Sequence, residues 1–332
     1  MGTSTRDSIG VLGAGRMGRG IALSYIFAGI PVLMVDMKDR DEEARAALEA
    51  SAMDEMSNDL QFLSRLGLLS EEDVGDTLSL VSFSYRDDPD NPLRKCRIVY
   101  EGVPEVMEAK RDALRFASNS LDPTAVIATT TSTFLVTELA DHVDNPARFM
   151  NAHWLNPAHL MPLVEVSRSE KTDPPAVELL IDSLESIGKV PVVCSASPGY
   201  IVPRIQALAM NEAARLVEEG VASAEDVDKA INVGFGPRFA VLGLLEFIDW
   251  GGGDILYYAS DYLSKAIGPR YEAPEIVRDN MRSGKNGVRD GVGFFDYKNV
   301  DTAEYRGNRL RDFVALLQYK DLLPAYRAAA SE

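Results

Sequence analysis

Three glycines, Gly13, Gly15 and Gly18, stand in G-x-G-x-x-G spacing directly after the apolar run Ile9 to Leu12. The next residues have helical periodicity, with Ile21, Tyr25 and Ile26 on one face and Gly29 as the stop, and then "PVLMVD" reads as a buried strand closing on Asp36. Strand, glycine turn, helix and strand in this order constrain the chain to a parallel unit that binds a dinucleotide. Gly13 permits the tight turn, Gly15 lets the backbone approach a pyrophosphate, and Gly18 lets helix and strand pack closely. The helix N-terminus then offers its amide N–H groups to the phosphates. An acid at the end of the second strand accepts from both ribose hydroxyls and repels a 2'-phosphate, so Asp36 predicts NAD rather than NADP. Lys38 and Arg40 close behind temper that preference.

The alternation continues. A helical excursion near residues 41–76 precedes strands at "LSLVSF", "RIVYEGVP" and "AVIATTTST", with "VMEAKRDALRFASNSL" as a helix between the last two. "RFMNAHWLN" and "KVPVVCSAS" add strands around the helix "PPAVELLIDSLESIG". Such alternation predicts a Rossmann-type, doubly wound parallel sheet with helices on both sides. After "SASPGY" only helices follow, including "LEFIDWGGGDILYYASDYLSKAIG" and a last one at "NRLRDFVALLQYKDLL". Residues 1–196 are therefore read as the dinucleotide domain and 197–332 as an all-α domain.

The formal net charge of −17 disfavours nucleic acid and anionic membrane surfaces as partners. No positive leader precedes an apolar run, and no segment approaches the roughly 18 apolar residues of a membrane span. Two distant cysteines, Cys96 and Cys194, suit a reducing cytoplasm with neither a disulfide nor a structural metal.

Of only three histidines, His153 and His159 flank Asn156-Pro157 in "AHWLNPAHLMPLVEVS", and Glu165 sits inside the apolar run that ends this stretch. Histidine and glutamate are the usual proton-transfer pair near neutral pH. A glutamate in an apolar run needs a partner if it is buried, and His153 is the candidate. His159 is read as a loop residue and His142 as the end of a surface helix.

Six blocks carry a resemblance along essentially the whole chain: "GVLGAGRMGRGIA", "VYEGVPEVMEAK", "ATTTSTFLVTELA", "NAHWLNPAHLMPLVEVS", "SPGYIVPRIQALAMNEA" and "GVRDGVGFFDY". In their order they resemble the L-3-hydroxyacyl-CoA dehydrogenases. The resemblance implies an NAD domain, a helical domain that dimerises, and a substrate between the two. Carried over by position, it makes His153 the catalytic base, Glu165 the carboxylate that orients it, and Ser132 the serine that binds the substrate hydroxyl. It also sets Glu105 and Lys110 near the cofactor and Asn156 near the substrate.

The chain departs from that pattern in ways that bear on the substrate. Pro203 stands where the family usually has asparagine, and Thr130 replaces another asparagine. Across residues 41–80 eleven acids stand against Arg45 and Arg65, with no lysine, where acyl-CoA members tend to carry lysines. CoA brings several negative charges, which this surface would repel. "GFGPRFAVLGLLEF" resembles the gulonate and carnitine dehydrogenase branch, which makes Arg238 a candidate clamp for a free carboxylate. The expectation is a homodimeric NAD-dependent dehydrogenase acting on a small free hydroxy acid or another carboxylated alcohol or aldehyde. 3-Hydroxybutyryl-CoA is the second reading, and a non-catalytic, crystallin-like NADH-binding protein a third.

Overall fold

The computed structural model describes residues 8–90 and 92–323. Strand β1 (Ser8–Leu12), helix α1 (Arg16–Phe27) and strand β2 (Val32–Asp36) form the unit expected from the glycines. The excursion is α2 (Glu42–Arg65) and α3 (Asp73–Leu78). Asp41 starts α2 by accepting from the Ala44 amide, and Gly67, with φ +77°, ends it. Only Ala52, Met56, Leu60 and Leu63 of α2 are buried, a single stripe at helical spacing. Burying each of the three larger side chains contributes about 1.5–3 kcal/mol, and the acids stay on the solvated side.

Strands β3 (Val81–Tyr85), β4 (Cys96–Glu101), β5 (Val126–Thr129) and β6 (Phe149–Trp154) follow, with α4 (Met107–Ser120) between β4 and β5 and α5 (Val136–Leu139) between β5 and β6. Then come β7 (Leu163–Arg168), α6 (Pro174–Ser186) and β8 (Val190–Ser195). The sheet has eight strands in the order β3-β2-β1-β4-β5-β6-β7-β8. Its two faces carry separate cores. Ile21 and Tyr25 of α1, Met56 and Leu60 of α2 and Leu180 of α6 pack on one. Ala113 and Leu114 of α4 and Leu139 of α5 pack on the other, with Leu12, Val99 and Phe149.

The expected all-parallel sheet needs one correction: β6 and β7 are antiparallel. The apolar run "PLVEVS", singled out for its glutamate, is itself the strand β7. The chain reverses between them through a loop containing the cis Asn156–Pro157 peptide, so β7 pairs directly with β6 instead of crossing over.

By internal contacts the chain forms two compact units that divide between Leu208 and Ala209, inside α7 (Val202–Glu218). The start of α7 stays with the first unit because the Ile201 and Val202 amides are bonded to Glu165 of β7. The second unit holds α8 (Ala224–Ala230), a π-helical turn (Ile231–Phe235), α9 (Gly236–Val241), α10 (Leu244–Gly251), α11 (Gly253–Ala266), α12 (Glu275–Arg282) and α13 (Thr302–Tyr319). The stretch read as one helix from Leu245 breaks at Gly252, whose φ of +111° is incompatible with a helix. Asp249 is buried at the end of α10, where its carboxylate accepts from the Phe294 and Phe295 amides at 2.9 Å each and anchors the "GVGFF" loop. Among the described residues no single helix is long and apolar enough to cross a membrane.

Candidate functional site

The glycine turn has the geometry a dinucleotide requires. Gly13 sits at φ +98°, and its amide donates to Val35 O at 2.8 Å, which ties the turn to β2. A Cβ on Gly18 would lie 2.0 Å from Gly13 O, so only glycine lets α1 start this close to β1. Gly15 is the N-cap of α1 and makes no side-chain cap; a Cβ there would meet nothing within 4 Å, and no acid stands in the first turn. Open amides at the positive end of a helix suit an anion, so the residues present fit NAD.

Asp36 is at the end of β2 as expected, but it is already engaged. Arg40 Nε donates to Asp36 Oδ2 at 2.6 Å and the Lys38 amide to Oδ1 at 3.3 Å. The carboxylate is 5% exposed. Its charge is thus matched by Arg40.

Lys110 is fully buried at the start of α4. Its ammonium donates to both oxygens of Glu101 at 3.2 Å and lies 3.1 Å from Glu105 Oε2. Glu101, fully buried at the end of β4, also accepts from Thr129 Oγ1 at 2.6 Å and the Val103 amide at 3.0 Å. Burial pushes the Glu101 carboxyl above its ordinary range despite Lys110 and these donors. Burial acts the same way on Glu105, but there the Thr131 hydroxyl, Lys110 and the Thr133 amide together win and hold it below the usual range. Glu105 accepts from the Thr131 hydroxyl and from the amides of Ser132 and Thr133 at 3.1 and 3.0 Å. The Glu105–Lys110 pair, expected beside the cofactor, therefore holds the loop after β5 that exposes Ser132. Glu101 was missed; its signal was an acid closing the buried run "IVYE" of β4.

The antiparallel register sets His153 directly opposite Glu165. His153 Nδ1 lies 2.8 Å from Glu165 Oε2, with the histidine 4% exposed and the glutamate fully buried. Glu165 Oε1 accepts from the amides of Ile201 and Val202, at 2.9 and 2.8 Å, where the chain enters α7. Three donor positions thus converge on this carboxylate, and an imidazole that donates to it through Nδ1 keeps its Nε2 lone pair free. Pro203 is the second residue of α7, in the first turn where no backbone N–H is required, so it costs the helix nothing.

Tyr200 is the other residue that sequence reasoning missed. Its ring centroid is 5.5 Å from that of His153, its hydroxyl donates to Phe134 O at 3.0 Å, and its φ is +44°. A non-glycine residue in that region costs about 1–3 kcal/mol and persists only where its surroundings over-determine it. The signal available in the sequence was the glycine before it in "SPGY".

Asn156 is exposed on the loop after β6. Lys189 holds that loop by donating to Ala158 O at 2.7 Å and Met161 O at 3.0 Å, and burial lowers its ammonium to about 8. His159 and His142 are half-buried, and His142 ends a short 3-10 turn rather than a surface helix. Arg238 is in the second unit, on α9, where its guanidinium lies 5.8 Å from the Phe247 ring centroid. It lines a cavity of about 490 Å³ with Phe247, Trp250 and Phe313. Of the arginines in the acidic excursion, Arg45 is committed to Asp87 through two contacts of 2.8 Å, and Arg65 lies over the Phe62 ring.

Residues 8–197 match the 3-hydroxyacyl-CoA dehydrogenase NAD binding domain, and residues 199–297 match the C-terminal domain of the same family. The chain is 31% identical over 311 residues to the 5-formyl-3-hydroxy-2-methylpyridine 4-carboxylate 5-dehydrogenase of Mesorhizobium japonicum, covering 93% of this chain and 96% of that one. A solved 3-hydroxyacyl-CoA dehydrogenase of Archaeoglobus fulgidus superposes with a TM-score of 0.74 at 30% identity, covering 96% of this chain and 100% of that chain. A solved structure of the pyridine-carboxylate dehydrogenase, described as an NAD+ dependent dismutase, superposes with a TM-score of 0.67 at 30% identity, over 94% of this chain and 97% of that one. With the dinucleotide cradle and both domain matches in the same order, the chain belongs to the 3-hydroxyacyl-CoA dehydrogenase family and is an NAD-dependent oxidoreductase acting on CH–OH groups.

Proposed function

We propose that the protein interconverts the hydroxyl of a small free hydroxy acid, or of another carboxylated alcohol, and the corresponding carbonyl, with His153 as the base. The observation that carries this reading is the imidazole held at 2.8 Å by a buried glutamate, with Nε2 left for the hydroxyl. Nε2 takes the hydroxyl proton, and the Glu165 carboxylate stabilises the imidazolium that results. Ser132, on the loop fastened by Glu105, holds the substrate oxygen by a hydrogen bond. NAD, when bound, supplies the hydride acceptor; Gly13, Gly15, Gly18 and Asp36 are the residues that would hold it. In the reverse direction His153 returns the proton.

Three observations support a free acid over a CoA thioester. The acidic excursion has one of its two arginines tied to Asp87 and the other over a phenylalanine ring. Arg238 has no carboxylate partner among the described residues and stands in an aromatic cavity. A relative that matches along nearly the whole chain is named for a pyridine carboxylate. The family name itself favours the second reading, 3-hydroxybutyryl-CoA.

The test is NAD reduction, followed by NADH absorbance, with 3-hydroxybutyryl-CoA against free 3-hydroxy acids, carnitine, gulonate and carboxylated ring alcohols. Free acids are expected to give the higher kcat/KM, and Arg238→Met to raise the KM of the best one about tenfold or more. Faster turnover of the thioester overturns the choice of substrate. Tight NADH binding with no turnover of any compound would favour the crystallin-like reading.

We also assign the chain to a homodimer in the cytoplasm. Ile255, Tyr258 and Tyr262 are each at least 60% exposed along one face of α11, an apolar stripe that a second copy would cover. Sedimentation velocity at micromolar concentration is expected to give twice the chain mass, and a monomer would refute the assignment. Cys96 and Cys194 are unpaired thiols, which suits a reducing compartment.

A further inference from the structure

We propose that Tyr200 is the positioning residue that couples the Ser132 loop to the His153–Glu165 pair, an inference that rests on the reading of His153 as the base. Three contacts diverge from this one residue. Its ring lies against the His153 imidazole, with centroids 5.5 Å apart and planes inclined by 31°. Its hydroxyl donates to Phe134 O at 3.0 Å, two residues beyond Ser132. The two amides after it in the chain, those of Ile201 and Val202, carry the bonds to Glu165 Oε1.

The backbone explains how one residue serves all three. With φ at +44° after Gly199 at +74°, the chain turns sharply out of the strand-side loop. That turn aims the next two N–H groups at Glu165 while the side chain stays 5% exposed over the imidazole. A left-handed tyrosine is retained only if its side chain contributes what glycine could not. Here the ring packs against the His153 imidazole, and the hydroxyl ties down the loop of the serine that binds the same substrate oxygen. Asn151, buried two residues before His153 on β6, donates to Thr131 O at 3.2 Å and holds the same loop from the strand side. Tyr200 thus sets the distance between the group that takes the proton and the group that holds the oxygen.

Two variants separate this role from a merely structural one. Tyr200→Phe removes only the hydroxyl; kcat is expected to fall about tenfold, the worth of one hydrogen bond, with the KM for NAD and the melting temperature nearly unchanged. Tyr200→Gly keeps the left-handed turn without strain and removes the ring. Hydrogen exchange at the amides of Ser132, Thr133 and Phe134 is expected to quicken about tenfold in Tyr200→Phe, whose loop has lost the bond to Phe134 O, and kcat to fall further in Tyr200→Gly. Either an unaltered kcat or unaltered exchange at these amides in Tyr200→Phe overturns the proposal. The exchange measurement needs no substrate, so it stands even if no compound is turned over; full activity in a His153 variant would instead overturn the reading of the base.

Discussion

Replacing His153 by alanine is expected to lower kcat at least about a hundredfold while leaving NADH affinity within about twofold of the wild type. The two halves of this expectation come from different parts of the sheet. The imidazole is on β6, paired with β7, whereas the dinucleotide cradle is built from the β1–α1 turn and the end of β2. Removing a small, buried ring from β6 takes away the proposed proton acceptor and touches none of the residues proposed to hold the cofactor. Steady-state kinetics with the best substrate and fluorescence titration of NADH check the two halves separately. A variant as active as the wild type would remove His153 from its role.

Glu165→Gln is expected to cost more than its size suggests: kcat should fall by roughly three orders of magnitude in a protein that still folds. The carboxylate accepts at both oxygens, from His153 on one and from the Ile201 and Val202 amides on the other. A glutamine can keep its carbonyl oxygen toward the two amides and must then point its NH2 group at Nδ1. Nδ1 becomes the acceptor, the ring proton moves to Nε2, and the proposed base faces the substrate with its proton already in place. Glu165→Ala differs in kind. It leaves the part-buried Ile201 and Val202 amides without their acceptor, and should lower the melting temperature as well as kcat. Thermal unfolding alongside kinetics distinguishes them; a glutamine variant with near wild-type kcat would show that tautomer selection by Glu165 is not what activates His153.

How far this site was legible in the sequence depends on the range of the interactions that build it. The β1–α1–β2 unit rests on local causes: a left-handed position at Gly13, the close approach at Gly18, helical periodicity up to Gly29 and an acid at the strand end. All lie close together in the chain, and the structure reproduces them. The acidic excursion, the alternation of strands and helices and the helical second part were legible for the same reason. Glu165 was conspicuous because a carboxylate in an apolar run needs a partner, and the pairing with His153 twelve residues earlier followed from that need.

Other features depend on chain segments that meet only after folding. Periodicity identifies a strand but not its direction, so the reversal that makes β7 antiparallel, and brings Glu165 opposite His153, was decided by the sheet as a whole. Glu101 meets Lys110 and Thr129 from three separate elements. Arg40 folds back onto Asp36, and Tyr200 reaches Phe134 of the Ser132 loop across 66 residues of chain. The sequence by itself determined the dinucleotide unit, the order of the two parts and the residues able to move a proton, because local backbone sterics and burial dictate them. Only the tertiary structure decided the direction of β7, the amides that hold Glu165 and the network beneath Ser132, because buried polar groups take whichever partners the packed fold brings within reach.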